Sequence, residues 1–136
     1  DSWVWMQCGD GRVTLMCAVA SIPLKLLRFT GVICVLRDGA RQYRLATYNG
    51  ARVSKLEWQG RELLTELSHK YYRLSVRALA GAFGYLQAPT PTGMDRRIQE
   101  SINARFFVRL ERRGETVLQG SYAGGLEMLN IEELMK

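Results

Sequence analysis

The chain has 136 residues, of which 47% are hydrophobic and 24% charged, enough for one domain with its own core and too apolar for a disordered segment. No apolar run approaches the roughly 18 residues that cross a bilayer, and no charged-then-apolar leader opens the text, so it reads as soluble, cytoplasmic or peripheral to a membrane. The net charge of +6 raises the question of a phosphate partner. The arginines, however, alternate with apolar residues along strand-like runs rather than forming a stripe. That spacing describes the solvent face of a sheet and argues against nucleic acid, while such an exterior suits contact with anionic headgroups.

Because the first residue is Asp1 rather than Met, the chain reads as a processed or excised piece. Cys8, Cys17 and Cys34 lie inside apolar runs without the spacing of a zinc site, so they read as buried free thiols of a reducing compartment.

Strand-period runs follow one another along the chain. Residues 3–8 form the first, ended by Gly9-Asp10-Gly11. Residues 12–22 are apolar on both alternating faces, which predicts one face on an interior cavity and the other on a neighbour; Pro23, lacking an N–H, closes the strand. Residues 30–37 end at Asp38-Gly39, and residues 42–48 return and end at Asn49-Gly50, both hairpin dipeptides. Residues 51–58, 62–68 and 71–78 complete seven strands. Residues 79–95, broken by glycines and prolines, predict an irregular connection, and residues 94–101 a short helical turn. Residues 104–110 and 115–122 form a hairpin around Arg112-Arg113-Gly114. The tail from Leu126 supplies a closing strand and then a terminal helical turn.

About nine strands joined by hairpins, with no repeat and no helical crossover, predict an all-β fold: an antiparallel up-and-down β-barrel filling residues 1–136 as one domain. Barrels of about eight strands can hold one small ligand.

Catalytic groups are sparse. His69 is the single histidine and sits between two strands, where a surface turn residue is expected. No phosphate loop and no GxSxG motif is present. Two acids stand out because their surroundings are apolar or small: Glu100, within Ile98-Gln99-Glu100-Ser101-Ile102, and Glu127, within Gly124-Gly125-Leu126-Glu127-Met128. Enclosed in an apolar barrel, such a carboxyl would keep its proton near neutral pH and could donate it. The blander readings are an exposed strand position for Glu127 and an ion pair with Arg96 or Arg97 for Glu100. Aromatic residues recur along the strands; most pack a core, though a ring facing a cavity could stabilise a carbocation.

Several of these runs resemble the tocopherol cyclase family. Trp5-Met6-Gln7-Cys8 is similar to its W-x-Q-C/N strand, and Thr47-Tyr48-Asn49-Gly50-Ala51 to its TY-[TN]-GA hairpin. Ala88-Pro89 followed by Met94, Arg97, Ile98, Glu100 and Ser101 is similar to AP…M…R-[IV]-x-ES, and residues 120–127 resemble the closing G-x-x-AGLE element. Two local departures stand at the end: an extra glycine makes the element AGGLE, and Leu129-Asn130 replaces Val-Gly.

The resemblance implies the second of two lipocalin-like barrels, partnered by an N-terminal barrel or by another copy of itself. It implies a hydrophobic prenyl-quinol or isoprenoid-type ligand and a cofactor-free cyclisation, with no metal: a prenyl double bond is protonated and a phenol oxygen closes the ring. Glu100 or Glu127 would be the catalytic acid. Trp5, Gln7, Tyr48, Asn49, Met94 and Arg97 would contact the ligand. Two alternatives use the same fold: a lipocalin-like protein that stores a hydrophobic molecule unchanged, and an OB-like nucleic-acid module, which the interleaving of aromatic and basic residues disfavours.

Overall fold

A computed structural model describes the backbone of residues 2–90 and 93–136 and the side chains of residues 2–85 and 98–136. The chain forms β1 (Trp3–Gly9), β2 (Val13–Leu24), β3 (Leu27–Asp38), β4 (Arg41–Ala46), β5 (Arg52–Gln59), β6 (Glu62–Ser68), β7 (Tyr72–Leu79), β8 (Gly84–Thr90), β9 (Gly93–Arg112), β10 (Glu115–Leu129) and a single helical turn α1 (Ile131–Leu134). All belong to one antiparallel sheet except α1. The all-β antiparallel meander expected from the sequence is therefore the fold.

The strand order is β4-β3-β2-β1-β10-β9-β7-β6-β5. β8 continues the line of β7 along the same edge of β9: Tyr72 to Leu79 pair with Arg112 to Arg105, and Gly84 to Thr90 with Glu100 to Gly93. The break between them is held by Ser101, whose buried hydroxyl accepts the Gly81 N–H at 3.1 Å and donates to Asn103 Oδ1 at 3.2 Å.

The two outermost strands, β4 and β5, are consecutive in the chain. They are joined by a 3₁₀ turn at Thr47–Asn49, which bends back through Gly50 at φ 96°. Asn49 holds this corner, its Oδ1 accepting the Ala46 N–H at 3.0 Å and its Nδ2 donating to the Arg44 carbonyl at 2.8 Å. Thr47 Oγ1 accepts the Val32 N–H at 2.8 Å. The Asn49-Gly50 hairpin expected from the sequence is thus not one: among the described residues β4 and β5 share no ladder, and only the Ala51 N–H bridges to the Ala46 carbonyl, at 3.0 Å. Side-chain bonds to the backbone take the turn polar groups that a hairpin would have paired with one another.

Three other expectations are corrected. Pro23 does not end its strand; β2 runs on to Leu24 with Pro23 opposite Arg28, on a two-stranded arm where no neighbour among the described residues needs the missing N–H. Residues 94–101 are not helical but belong to β9, which is paired on both sides, with β8 and with β10. The connection predicted over residues 79–95 contains β8. Its Pro89 falls at a register shift on a strand that, among the described residues, pairs only with β9.

The sheet curls around one apolar core. Val4, Met6 and Cys8 of β1 lie in register with Val19, Cys17 and Leu15 of β2, and all six are buried. Phe106, Val108 and Leu110 of β9 and Leu63 and Leu67 of β6 join them. Tyr43 of β4 meets Tyr72 of β7 edge to face, ring centroids 5.8 Å apart, although those strands are not sheet neighbours. Ile131 and Leu134 bury the helical turn against the same core. These core side chains lie on the concave side of the sheet, the side on which the sequence predicts one face of residues 12–22 to line an interior cavity.

Candidate functional site

In β1 the inward row is Val4, Met6 and Cys8, so Trp3, Trp5 and Gln7 point away from the core. In β10, Leu126 and Met128 point inward and Glu127 outward. Cross-strand register then sets one outward row running Ile33, Ala18, Trp5, Glu127 and Glu100 across β3, β2, β1, β10 and β9. Glu100 and Glu127 are direct register partners, a spacing that brings Cβ atoms to roughly 4.5–5.5 Å. The Trp3 indole N–H donates to Glu127 Oε2 at 3.1 Å.

A groove of about 850 Å³ runs over this face, lined by Trp5, Gln7, Met16, Ile102, Glu100 and Glu127 among others. Its floor is low because of the two glycines of the AGGLE run. A Cβ on Gly124 would collide with the Gln7 carbonyl oxygen and with Cys8, so glycine is what lets β10 approach β1 there. Gly125 stands opposite a bulge in β9, where Ile102 and Asn103 are inserted between the paired residues Ser101 and Ala104. Gly125 therefore sits at a break in register. The bulge pushes Ile102 out to the surface beside the groove.

Of the residues expected to form a site, Trp5, Gln7, Glu100 and Glu127 come together here, on the convex side of the sheet and not within an enclosed lumen. Tyr48 and Asn49 do not join them. They belong to the turn after β4, on the far side of β2 and β3, where Tyr48 is 67% exposed and Asn49 has its structural hydrogen bonds. The side chains of Met94 and Arg97, like those of Arg96 and of Pro91-Thr92, lie outside the described residues. Sequence reasoning missed Trp3, Met16 and Ile102; the Trp3/Trp5 spacing of two residues did carry the signal that both indoles share a face.

His69 Nε2 donates to the Asn49 carbonyl at 3.0 Å, tying the β6–β7 connection to the β4–β5 turn. The thiols are buried and free. Burial, then the neighbouring Cys17, pushes Cys8 up to about 12; a hydrogen bond with Cys17, then burial, raises Cys34 well above the ordinary thiol range. Neither is a nucleophile at neutral pH. Among the described residues, no three His, Cys, Asp or Glu side chains gather as metal ligands, and no helix is long and apolar enough to cross a membrane.

No family model matches the chain, and comparison with curated proteins and with solved structures gives no match either.

Proposed function

We propose that the chain is a lipocalin-like barrel domain that binds a prenyl-quinol or similar isoprenoid lipid along its outer-face groove. The observation that carries this reading is the row of Trp5, Glu127 and Glu100 over a glycine floor: an apolar wall beside a pair of acids. A prenyl tail fits against Trp5, Met16 and Ile102, and a quinol hydroxyl can donate to a carboxylate. The barrel description is supported by the sheet's two end strands following each other in the chain and by the Tyr43–Tyr72 contact, which joins strands distant in the sheet. The ligand site proposed is the groove on the outward face, where Trp5, Gln7, Glu100 and Glu127 meet.

Ring closure of the tocopherol cyclase type is the catalytic extension. One carboxylic acid would give its proton to the prenyl double bond, the phenol oxygen would attack the resulting tertiary cation, and the phenolic proton would return to the carboxylate. The groove is open along its length, so this chemistry needs a cover, from a second barrel or from another copy of the chain, to exclude water. Without a cover the same groove stores the lipid unchanged.

The test is titration of the purified chain with a prenylated benzoquinol, followed by tryptophan fluorescence and by analysis of the recovered lipid. Saturable binding lost in Trp5→Ala and in the groove-filling Gly125→Leu supports the site. Binding that ignores both substitutions refutes it. A chromanol product that disappears with Glu100→Gln and Glu127→Gln marks the enzyme, and recovery of unchanged quinol marks the storage protein.

A further inference from the structure

β2 and β3 remain paired beyond the point where their neighbours stop. Among the described residues the β1–β2 ladder ends at Trp3 opposite Ala20, with the Ser21 N–H still donating to the Ser2 carbonyl at 3.0 Å, and the β3–β4 ladder begins at Ile33, yet β2 and β3 stay in register out to Leu24 opposite Leu27. Residues 22–29 are therefore a two-stranded arm projecting from the sheet. Alternation sorts its side chains. Ile22, Leu24, Leu27 and Phe29 continue the outward face that carries Ala18, Ile33 and Trp5, and Ile22 and Phe29 lean together over Gly31. Ser21, Pro23, Arg28 and Thr30 take the other face, where Arg28 Nη1 donates to Ser21 Oγ at 3.3 Å.

A solvated hairpin tip ordinarily carries Asn, Asp or Gly. This one is Leu24-Lys25-Leu26-Leu27, with Leu26 98%, Leu27 73% and Leu24 54% exposed. Charge has a single sign here: residues 22–29 carry Lys25 and Arg28 and no acid.

We infer that this arm docks the protein on an anionic lipid surface, Leu24, Leu26, Leu27 and Phe29 entering the acyl boundary while Lys25 and Arg28 reach phosphate headgroups. The tip is convex, so against another protein it would bury little area unless a matching pocket received it. A bilayer accepts such a wedge without a pocket and rewards its cations. Long basic side chains keep their heads at headgroup level while their stems lie along hydrocarbon. The docked arm turns the outward face, and with it the groove, toward the membrane surface. The inference rests on the arm alone and stands whether or not the groove binds a prenyl lipid.

The experiment is co-sedimentation of the whole chain with vesicles of phosphatidylcholine alone and of phosphatidylcholine mixed equally with phosphatidylglycerol, beside sedimentation equilibrium without lipid. Binding is expected to favour the anionic vesicles by about fivefold for each cation engaged, and to weaken as salt is raised. The pair Leu26→Ser and Leu27→Ser, both exposed, should leave the circular dichroism and melting temperature unchanged and reduce anionic-vesicle binding at least tenfold. No binding to anionic vesicles, or binding indifferent to those substitutions, overturns the inference. So does self-association in the parent that the substitutions abolish while vesicle binding stays absent, which would assign the arm to a second copy of the chain.

Discussion

Glu100 on β9 and Glu127 on β10 are register partners on the outward face, and the Trp3 indole holds one of them through Glu127 Oε2 at 3.1 Å. Two like charges directly opposite each other weaken an antiparallel pair, by about 0.2–1 kcal/mol. Glu100→Gln is therefore expected to stabilise the fold by that amount in low salt, measured as a shift in the urea midpoint with unchanged slope. The gain should shrink in high salt, because both carboxyls are only half-buried and screening already weakens their repulsion. A loss of stability in Glu100→Gln would mean that Glu100 has a favourable partner worth more than this repulsion.

The adjacent glycines of β10 make opposite demands. Gly124→Ala places a methyl group against the Gln7 carbonyl and Cys8, so β1 and β10 must part; a cost of about 1–3 kcal/mol is expected from overpacking. Gly125→Ala meets only the Ser101 carbonyl, at 3.6 Å, and should change stability by less than about 0.5 kcal/mol. Thermal unfolding of the two variants side by side checks the contrast. Equal effects would show that the close approach of β10 to β1 does not depend on Gly124.

The pattern of strands was legible because period-two alternation survives wherever one face is buried, as in β1, β6 and β7. Which face was inside was less legible. In β1 both alternating rows contain large apolar residues, and the inward row proved to be Val4, Met6 and Cys8 rather than the tryptophans. Only the partners Val19, Cys17 and Leu15 across the ladder decide that, and sequence order alone does not state a register. The two acids were recognisable from their small and apolar neighbours, but their meeting depends on the bulge at Ile102-Asn103. Such an insertion shifts every later pair and leaves no local mark. Asn49-Gly50 misled for a related reason: the dipeptide specifies a reversal, whereas whether the flanking strands pair depends on where the sheet has room for them.

Thr65 is fully buried in β6, and its Oγ1 finds no hydrogen-bond partner among the described residues. A hydroxyl taken from water without compensation costs about 1–3 kcal/mol. Thr65→Val keeps the branched shape that packs beside Val76 and Leu56, its register partners, and removes the unsatisfied oxygen. The variant is expected to be more stable than the parent by up to about that cost, seen as a higher melting temperature. A less stable variant would reveal a partner for the hydroxyl.

The buried thiols give the fold an alkaline limit. A thiol exposed by unfolding ionises near 9.0, whereas Cys8 in the core holds its proton to about 12 because its thiolate would be desolvated. Across that window the folded chain binds more protons than the unfolded one, so raising the pH favours unfolding. The stabilisation associated with Cys8 is fully present below pH 9 and is lost progressively as the pH climbs toward 12; Cys34, raised by its hydrogen bond with Cys17 and by burial, acts in the same direction. The melting temperature of the parent should therefore fall steeply above pH 9. Cys8→Ala, though less stable at neutral pH from the lost packing, should show a shallower alkaline decline. Parallel slopes for the two proteins would assign the alkaline limit to other groups, with Tyr122, itself raised by burial and then by Asp10 and Asp38, the next to test.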